Sequence, residues 1–381
     1  MNDRPSNIGV RGLQEKEIII VGNARSYHAI DWYRTIKNIC NNKNVLLATD
    51  LIDSESYLKI VREDDRLIDL YNIDWLLFDR QTSAGNLWRN FIKFIFIPIQ
   101  VVKINDIRKK YPKAIYHAHS MYYMLLCWLA RIKFIGTPLG SEVLVRSDKS
   151  SVYRYFAIKS LMAASHILVD SENLKNKIYD LCGKKAIVIQ NGIDVSAIKG
   201  LQTKNTKRSK VLSIRAIVPL YRIEAILEAR DASKMKPSIS FIYPFWADDY
   251  KRIIMSKLDP GDSDLGRLSR GQMYELLTST ALAISIPKSD SSPRSVYEAI
   301  FCGCCVAVTY NPWIENLPSC MRSRLYVVDI EDEEWLDKAY DFALSITKKP
   351  FKPSQMALDL FDQKKTMKKV VETFYEAKCD L

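Results

Sequence analysis

The chain lacks a hydrophobic run long enough to cross a bilayer. Its two most apolar stretches are "FIKFIFIPIQVV" (91–102), which contains Lys93 and Pro98, and "MYYMLLCWLA" (121–130), stopped by Arg131. Neither approaches the 18 or more uncharged residues that a spanning helix needs. A secretory pattern is also lacking, so a cytoplasmic, reducing setting is expected for the eight cysteines. Cys302 and Cys305 have C-x2-C spacing, but no second such pair completes a metal site. Small apolar thiols packing a helix end and the next strand explain them better, so neither a metal nor another cofactor is expected. Zinc-finger and aromatic RNA-binding signatures are missing. Nucleic acid is therefore not an expected partner, despite a net charge of +12.

What is present is the composition of a folded protein. Hydrophobic residues make up 48% and charged residues 26% of 381, enough for two domains with full cores. The positive charge is uneven. Between 86 and 159, 13 Lys or Arg stand against Asp106, Glu142 and Asp148. Such a patch suits phosphates, whether of a nucleotide or of an anionic lipid. Within 88–113, Phe91, Phe94, Ile95, Phe96 and Ile97 are mixed with Arg89, Lys93, Lys103, Arg108, Lys109, Lys110 and Lys113. One reading is a core helix with Phe and Ile turned inward, followed by a solvated loop. The other is peripheral contact with an anionic membrane, on its inner face for a cytoplasmic protein.

Along the chain, short apolar runs alternate with helical periodicity. "KEIIIVGN" (16–23) reads as a first strand, and Ile30, Tyr33, Ile36 and Cys40 follow at helical spacing. "NVLLATD", "IDWLLFD", "AIYHAHS", "HILVD" and "AIVIQNGID" read as further strands. Residues 195–210 turn polar and read as a linker, after which the pattern restarts with "VLSIRAI", "SISFIYPF", "LAISIP", "CVAVTY" and "LYVVDI". The expected fold is α/β, with two doubly wound parallel-sheet domains facing a central cleft. The expected boundaries are 1–194, 211–365 and a C-terminal helix, 366–381, that packs back towards the first domain. Ligand residues in such folds follow the strands. The polar clusters sit there: Asn23 to Arg25, His117 and His119, Gly140 to Glu142, Asn191, Arg215, and Asp290 to Glu298.

Residues 289–308 carry two readings. A polar turn, Ser289 to Arg294 with Asp290 and Pro293 in it, runs straight into "SVYEAIFCGCCVAV". Ser295-Val-Tyr-Glu298 has capping-box spacing, with a helix starting at Val296. A strand, a polar turn and a helix N-terminus also make an anion site.

These residues resemble the family-4 retaining glycosyltransferases of the GT-B fold. The segment from Asp290 through "SVYEAIFCG" keeps that family's acidic pair, with Asp290 and Glu298 eight apart, although Asp stands where the family has Glu and its Gly-Phe-Gly is missing. "SIRAIVPLYRIEAILEA", "QNGID", "YHAHS", "TPLGSEVLV" and "GNARSYHAIDWY" are similar to its other segments, in its order. The resemblance implies a nucleotide-sugar donor, carrying UDP or GDP, held by Arg215, Arg222, Glu298, Ser295 and Asn191. It implies His119 and Asp290 near the reacting sugar, and Asn23, His28, His117 and Glu142 on the acceptor side. The family's second phosphate cation falls at Leu220, so Arg222 or Tyr221 would replace it; a solvated helix face is the other reading of Arg222. The acceptor would be a glycan or a lipid-linked sugar, in cell-surface polysaccharide or glycolipid assembly. A nucleotide-sugar epimerase and a non-catalytic sugar-nucleotide-binding protein are the alternatives.

Overall fold

The computed structural model describes residues 17–25, 27–40, 44–52, 61–77, 83–201 and 208–376. The chain divides into two compact units, Met1–Asn191 with Gln363–Leu381, and Gly192–Asp362.

The first unit holds strands β1 (Ile18–Val21), β2 (Val45–Thr49), β3 (Leu67–Asp69), β4 (Ile115–His119), β5 (Phe134–Thr137), β6 (His166–Val169) and β7 (Ile187–Val188). They pair in parallel in the order β3-β2-β1-β4-β5-β6-β7. Its helices are α1 (Tyr27–Ile39), α2 (Ser83–Lys110), α3 (Met121–Leu129), α4 (Ser151–Ala163) and α5 (Glu172–Cys182). Strand side chains alternate between faces. Ile18 and Ile20 accordingly pack with Trp32 and Tyr33 of α1, while Ile19 and Val21 pack with Ile104 of α2, Met124 of α3 and Leu161 of α4. β1 is thus apolar throughout because both of its faces are covered.

The second unit repeats the plan. Strands β8 (Lys210–Ser213), β9 (Ile239–Ile242), β10 (Ser263–Gly266), β11 (Thr280–Ser285), β12 (Cys305–Thr309) and β13 (Leu325–Val328) pair in parallel in the order β10-β9-β8-β11-β12-β13. Its helices are α6 (Val195–Leu201), α7 (Ile223–Ala232), α8 (Asp248–Met255), α9 (Arg270–Thr278), α10 (Arg294–Phe301), α11 (Trp335–Ile346) and α12 (Gln355–Phe361). The chain then returns to the first unit as α13 (Gln363–Val370), whose Met367 and Val370 share a core with α1.

Three expectations differ from this. Residues 195–201 of the expected linker are α6, with Val195 and Ile198 in the second unit's core; residues 202–207 lie outside the described residues. Asp194 accepts from the Ala197 N–H at 3.0 Å, a cap hidden in a polar stretch. Residues 73–77 of the run "IDWLLFD" are not a strand, and residues 78 and 79 lie outside the described residues. The Asp74 N–H donates to Asn72 Oδ1 at 3.0 Å, which turns the chain into a short 3-10 segment, and the neighbouring "LID" pairs with β2 instead.

The third concerns α2. Its buried side carries Ile92, Gln100, Ile104 and Ile107. Phe91, Phe94 and Ile95 are 54%, 70% and 48% exposed, so the inward-facing reading fails for them. Among the described residues no helix is long and apolar enough to cross a membrane. The described cysteines are all free, and Cys127, Cys302, Cys304 and Cys305 are buried. Burial pushes the Cys304 and Cys305 thiols up to about 12 and raises those of Cys127 and Cys302 as well.

Candidate active site

Each sheet reverses its strand order once, between β1 and β4 and between β8 and β11. Chains leaving adjacent strand ends towards opposite faces open a crevice at that point. Asn23 follows β1, His119 ends β4, Arg215 follows β8 and Asp290 follows β11, while Glu142, Asn191 and Arg222 lie elsewhere.

In the second unit, Arg215 lies two residues past β8. Its Nη2 donates to Asp290 Oδ2 at 2.7 Å and its Nη1 to Ser295 Oγ at 3.1 Å. The guanidinium lies over the Tyr221 ring at 4.3 Å. The Asp290 N–H donates to Asn311 Oδ1 at 3.1 Å. Segments following β8, β11 and β12 are thereby fastened to the first turn of α10. The Arg215 and Asp290 side chains remain 12% and 15% exposed, so both reach solvent.

The capping box expected at Ser295 does not form. Helix α10 begins at Arg294 behind Pro293, which carries no side-chain cap, and Ser295 faces Arg215. Proline presets the backbone for a helix start without a cap. Glu298 sits one turn further on, 5% exposed. Its Oε1 accepts from the Tyr274 hydroxyl at 2.9 Å and lies 3.3 Å from Arg294 Nε. Burial and the Glu298 charge hold the Tyr274 hydroxyl protonated, well above its ordinary range. A capping box does form at Ser269 and Gln272, starting α9 and so placing Tyr274 against Glu298.

Arg222 does not join this cluster. Its Nε donates to the Ile286 carbonyl at 2.8 Å, and its Nη2 to the Pro287 carbonyl at 2.7 Å and to Thr309 Oγ1 at 3.2 Å. It adopts a left-handed φ of 51° before α7 and clamps the ends of β11 and β12. A guanidinium directed at carbonyls is turned away from phosphate, and it does not lie on a solvated face either.

In the first unit, His117 and His119 project from one face of β4 with centroids 6.4 Å apart, at 5.1 and 5.6 Å from Trp32. His117 Nδ1 is 2.6 Å from the Tyr375 hydroxyl and Nε2 is 2.8 Å from Thr137 Oγ1. It is fully buried and ties the returning C-terminal segment to the sheet, which is not an acceptor-facing position. His119 is 3% exposed. Burial first, then the nearby His117 and His28, hold its pKa well below the usual imidazole value, so the ring is neutral at pH 7. Gly22, at the end of β1, allows this contact: a Cβ there would lie 3.2 Å from Ala29 Cβ and 3.4 Å from His119 Cβ.

His28 is exposed, and its Nδ1 is 3.4 Å from Asn191 Nδ2. Asn191 ends the first unit beside His28, and its Oδ1 is buried without a partner. Asn23 accepts from the Arg25 N–H at 2.8 Å, which shapes the loop after β1, and Arg25 pairs with Asp74. Glu142 Oε2 accepts from the backbone N–H groups of Met121 and Leu139, both at 2.9 Å. It therefore fixes the start of α3 to the loop after β5, a positioning task. Burial raises its pKa and those two N–H groups oppose the rise.

One cluster carried no readable sequence signal beyond an Asp after a strand. Asp50 is fully buried at the end of β2 and accepts from the Tyr123 hydroxyl at 2.5 Å and Gln100 Nε2 at 3.1 Å. Lys93 Nζ lies 3.4 Å from Asp50 and 4.1 Å from the Tyr122 ring centroid. This lysine, which the sequence places among surface cations, is an interior tie between α2 and the strand end. Among the described residues no group of three or more His, Cys, Asp or Glu is arranged to hold a metal ion.

No family model matches the chain, and no curated protein matches it by sequence. Solved structures do. HepE of Anabaena in complex with UDP has a TM-score of 0.66 at 14% identity, over 94% of this chain and 99% of that one. Sucrose-phosphate synthase of Thermosynechococcus elongatus has a TM-score of 0.72 at 11% identity, over 96% of this chain and 100% of that one. A UDP-forming trehalose-phosphate synthase of Burkholderia xenovorans has a TM-score of 0.63 at 11% identity, over 96% and 99%. At these identities the likeness is one of fold, and the two parallel-sheet units have the fold of the GT-B glycosyltransferases.

Proposed function

We propose that the chain is a retaining glycosyltransferase that moves a sugar from a nucleotide-sugar to a hydroxyl of a glycan or lipid-linked acceptor. The observation that carries this reading is the Arg215, Asp290 and Ser295 cluster, with Glu298 one turn deeper, at the switch point of the second sheet. Arg215 presents a bidentate fork to the diphosphate, whose charge grows as the bond to the sugar breaks. Asp290 is then released to the sugar hydroxyls, and Glu298, already ordered by Tyr274, takes the ribose hydroxyls. The acceptor oxygen forms its bond to the anomeric carbon on the face that the diphosphate leaves. Its proton passes to the departing phosphate oxygen, so no protein base is required. His119, neutral through burial, serves as a hydrogen-bonding group near the reacting sugar.

HepE was solved with UDP and with UDP-glucose, and the trehalose-phosphate synthase is UDP-forming, so UDP-sugars are the first donors to test and GDP-sugars the comparison. Release of nucleotide from a donor panel, with and without acceptor, separates the outcomes. A transferase releases UDP at a rate that rises with acceptor. Release independent of acceptor indicates an epimerase-type reaction, and binding without release indicates a non-catalytic sugar-nucleotide protein.

A further inference from the structure

The exposed side of α2 is apolar at helical spacing. Leu87, Phe91, Phe94, Ile95 and Val102 are 72%, 54%, 70%, 48% and 59% exposed. At 100° per residue they fall within about one third of the helix circumference, opposite the buried Gln100 and Ile104. A stripe of this size on a soluble surface marks an interaction site. A second stripe lies on α4, where Val152, Tyr155 and Met162 are 66%, 56% and 56% exposed. The two helices belong to one layer, because α3 packs against both. Arg108 of α2 donates to the carbonyl of Ala130 at 3.4 Å, and Trp128 of α3 meets Phe156 of α4 with centroids 6.4 Å apart.

The charge on this layer is predominantly positive. Lys103, Lys109 and Lys110 are exposed on the last two turns of α2, and Arg146, Lys149, Arg154 and Lys159 are exposed on or before α4. The acids in the same stretch are few, and two of them are already paired, Asp106 with Lys109 and Asp148 with Lys177. Exposed aromatic and aliphatic side chains bordered by an excess of cations match an anionic lipid interface, where apolar groups enter the acyl boundary and cations meet headgroup phosphates. A partner protein would more commonly be met by a less one-sided charge.

We propose that the α2–α4 face of the first unit docks on an anionic membrane surface. The docking does not rest on the transfer reading, and its failure would leave the second-unit cluster untouched. Within the unit it has a structural link to the sheet: Lys93 of the same helix is bound to Asp50 at the end of β2, so a helix held on a membrane holds that strand end with it.

Sedimentation with vesicles tests the proposal on the full chain. Vesicles of phosphatidylcholine alone are compared with an equal mixture of phosphatidylcholine and phosphatidylglycerol, at low and high salt. The expected result is binding to the anionic vesicles at low salt, weakened by salt, and on the order of a hundredfold weaker for the triple variant Lys103→Glu, Lys109→Glu, Lys110→Glu. The double variant Phe91→Ser, Phe94→Ser changes only exposed side chains and is expected to bind about tenfold more weakly at every salt concentration. Circular dichroism confirms that both variants remain folded. No binding at low salt, or equal binding to both kinds of vesicle, overturns the proposal. So does a concentration-dependent dimer that the Phe variant dissolves while vesicle binding is absent, since the face would then belong to a second copy of this chain.

Discussion

At the end of β4, His119 is 3% exposed beside the Trp32 and His117 rings, and Asp50 and Glu142 of the same unit are buried with their bonds directed at tyrosine, lysine and backbone N–H groups. At the end of β8, Arg215 and Asp290 neutralise each other while 12% and 15% of their side chains stay in contact with solvent. The same topological position is therefore used in two ways. In the first unit Asp50, Glu142 and His117 are locked, and removing one leaves its partners stranded. In the second Arg215 and Asp290 form a pair that an incoming anion can exchange, because each partner is reachable and the guanidinium has further N–H groups. Substitutions should consequently damage folding at the first place and ligand handling at the second.

The sharpest test of that contrast is Asp50→Ala. It strands Lys93, Gln100 and Tyr123 in the interior and should destabilise the protein by about 3–5 kcal/mol, as breaking a buried pair does. Urea titration measures it; a shift below about 1 kcal/mol would show that water reaches the cluster and that the first unit is less locked than its contacts imply. Arg215→Ala should do the reverse. Turnover at saturating donor falls on the order of 10²–10³-fold, Arg215→Lys recovers part of it, and the denaturant midpoint stays near the parent's. Unchanged turnover would remove Arg215 from the phosphate role.

Glu298→Gln is intermediate in size. The amide keeps a partner for Tyr274 but loses the charged acceptor, so nucleotide affinity should drop by about 1.5–3 kcal/mol in calorimetry, with a smaller loss of stability. A large stability loss with unchanged affinity would make Glu298 a purely internal tie. The smallest effect is the pH response of His119. Its folded pKa is depressed, so below the unfolded value of about 6.5 the unfolded chain takes up a proton that the folded one refuses. Stability contributed by this group is present above about pH 6.5 and falls by up to about 1.4 kcal/mol per unit on acidification below it. His119→Asn should flatten that slope by one proton, and an unaltered slope would assign it to other groups.

Much of the architecture is legible in the sequence because buried parallel strands are continuous apolar runs, as in "EIIIV" and "LAISIP". The errors have local causes. Residues 195–201 hold Val195, Ala197, Ile198 and Leu201, but this short helix runs straight into the polar residues 202–210, and the sequence reads with them as one linker; Val195 and Ile198 anchor it in the core. Ser295 and Glu298 have the spacing of a cap, but Pro293 starts the helix and frees both side chains for other partners. Arg222 stands beside the right loop and points at carbonyls, a direction that spacing does not encode. Tyr274 and Asp50 became visible only when distant segments met. The outward aromatic stripe of α2 was legible as composition but not as orientation, because buried Ile92, Ile104 and Ile107 share the same helix.

The buried thiols give each unit a clock of its own. A thiolate is the reactive form, and Cys127 in the first unit and Cys302, Cys304 and Cys305 in the second are kept protonated and shielded. Alkylation at these positions must wait for the surrounding structure to open. Cys40, Cys182 and Cys320 are part-exposed and would be modified earlier, and Cys379 lies outside the described residues. Mass-resolved labelling over time would then report the opening frequency of one sheet separately from that of the other. Nucleotide added to the same reaction should slow the second unit's clock and leave the first one running at its former rate.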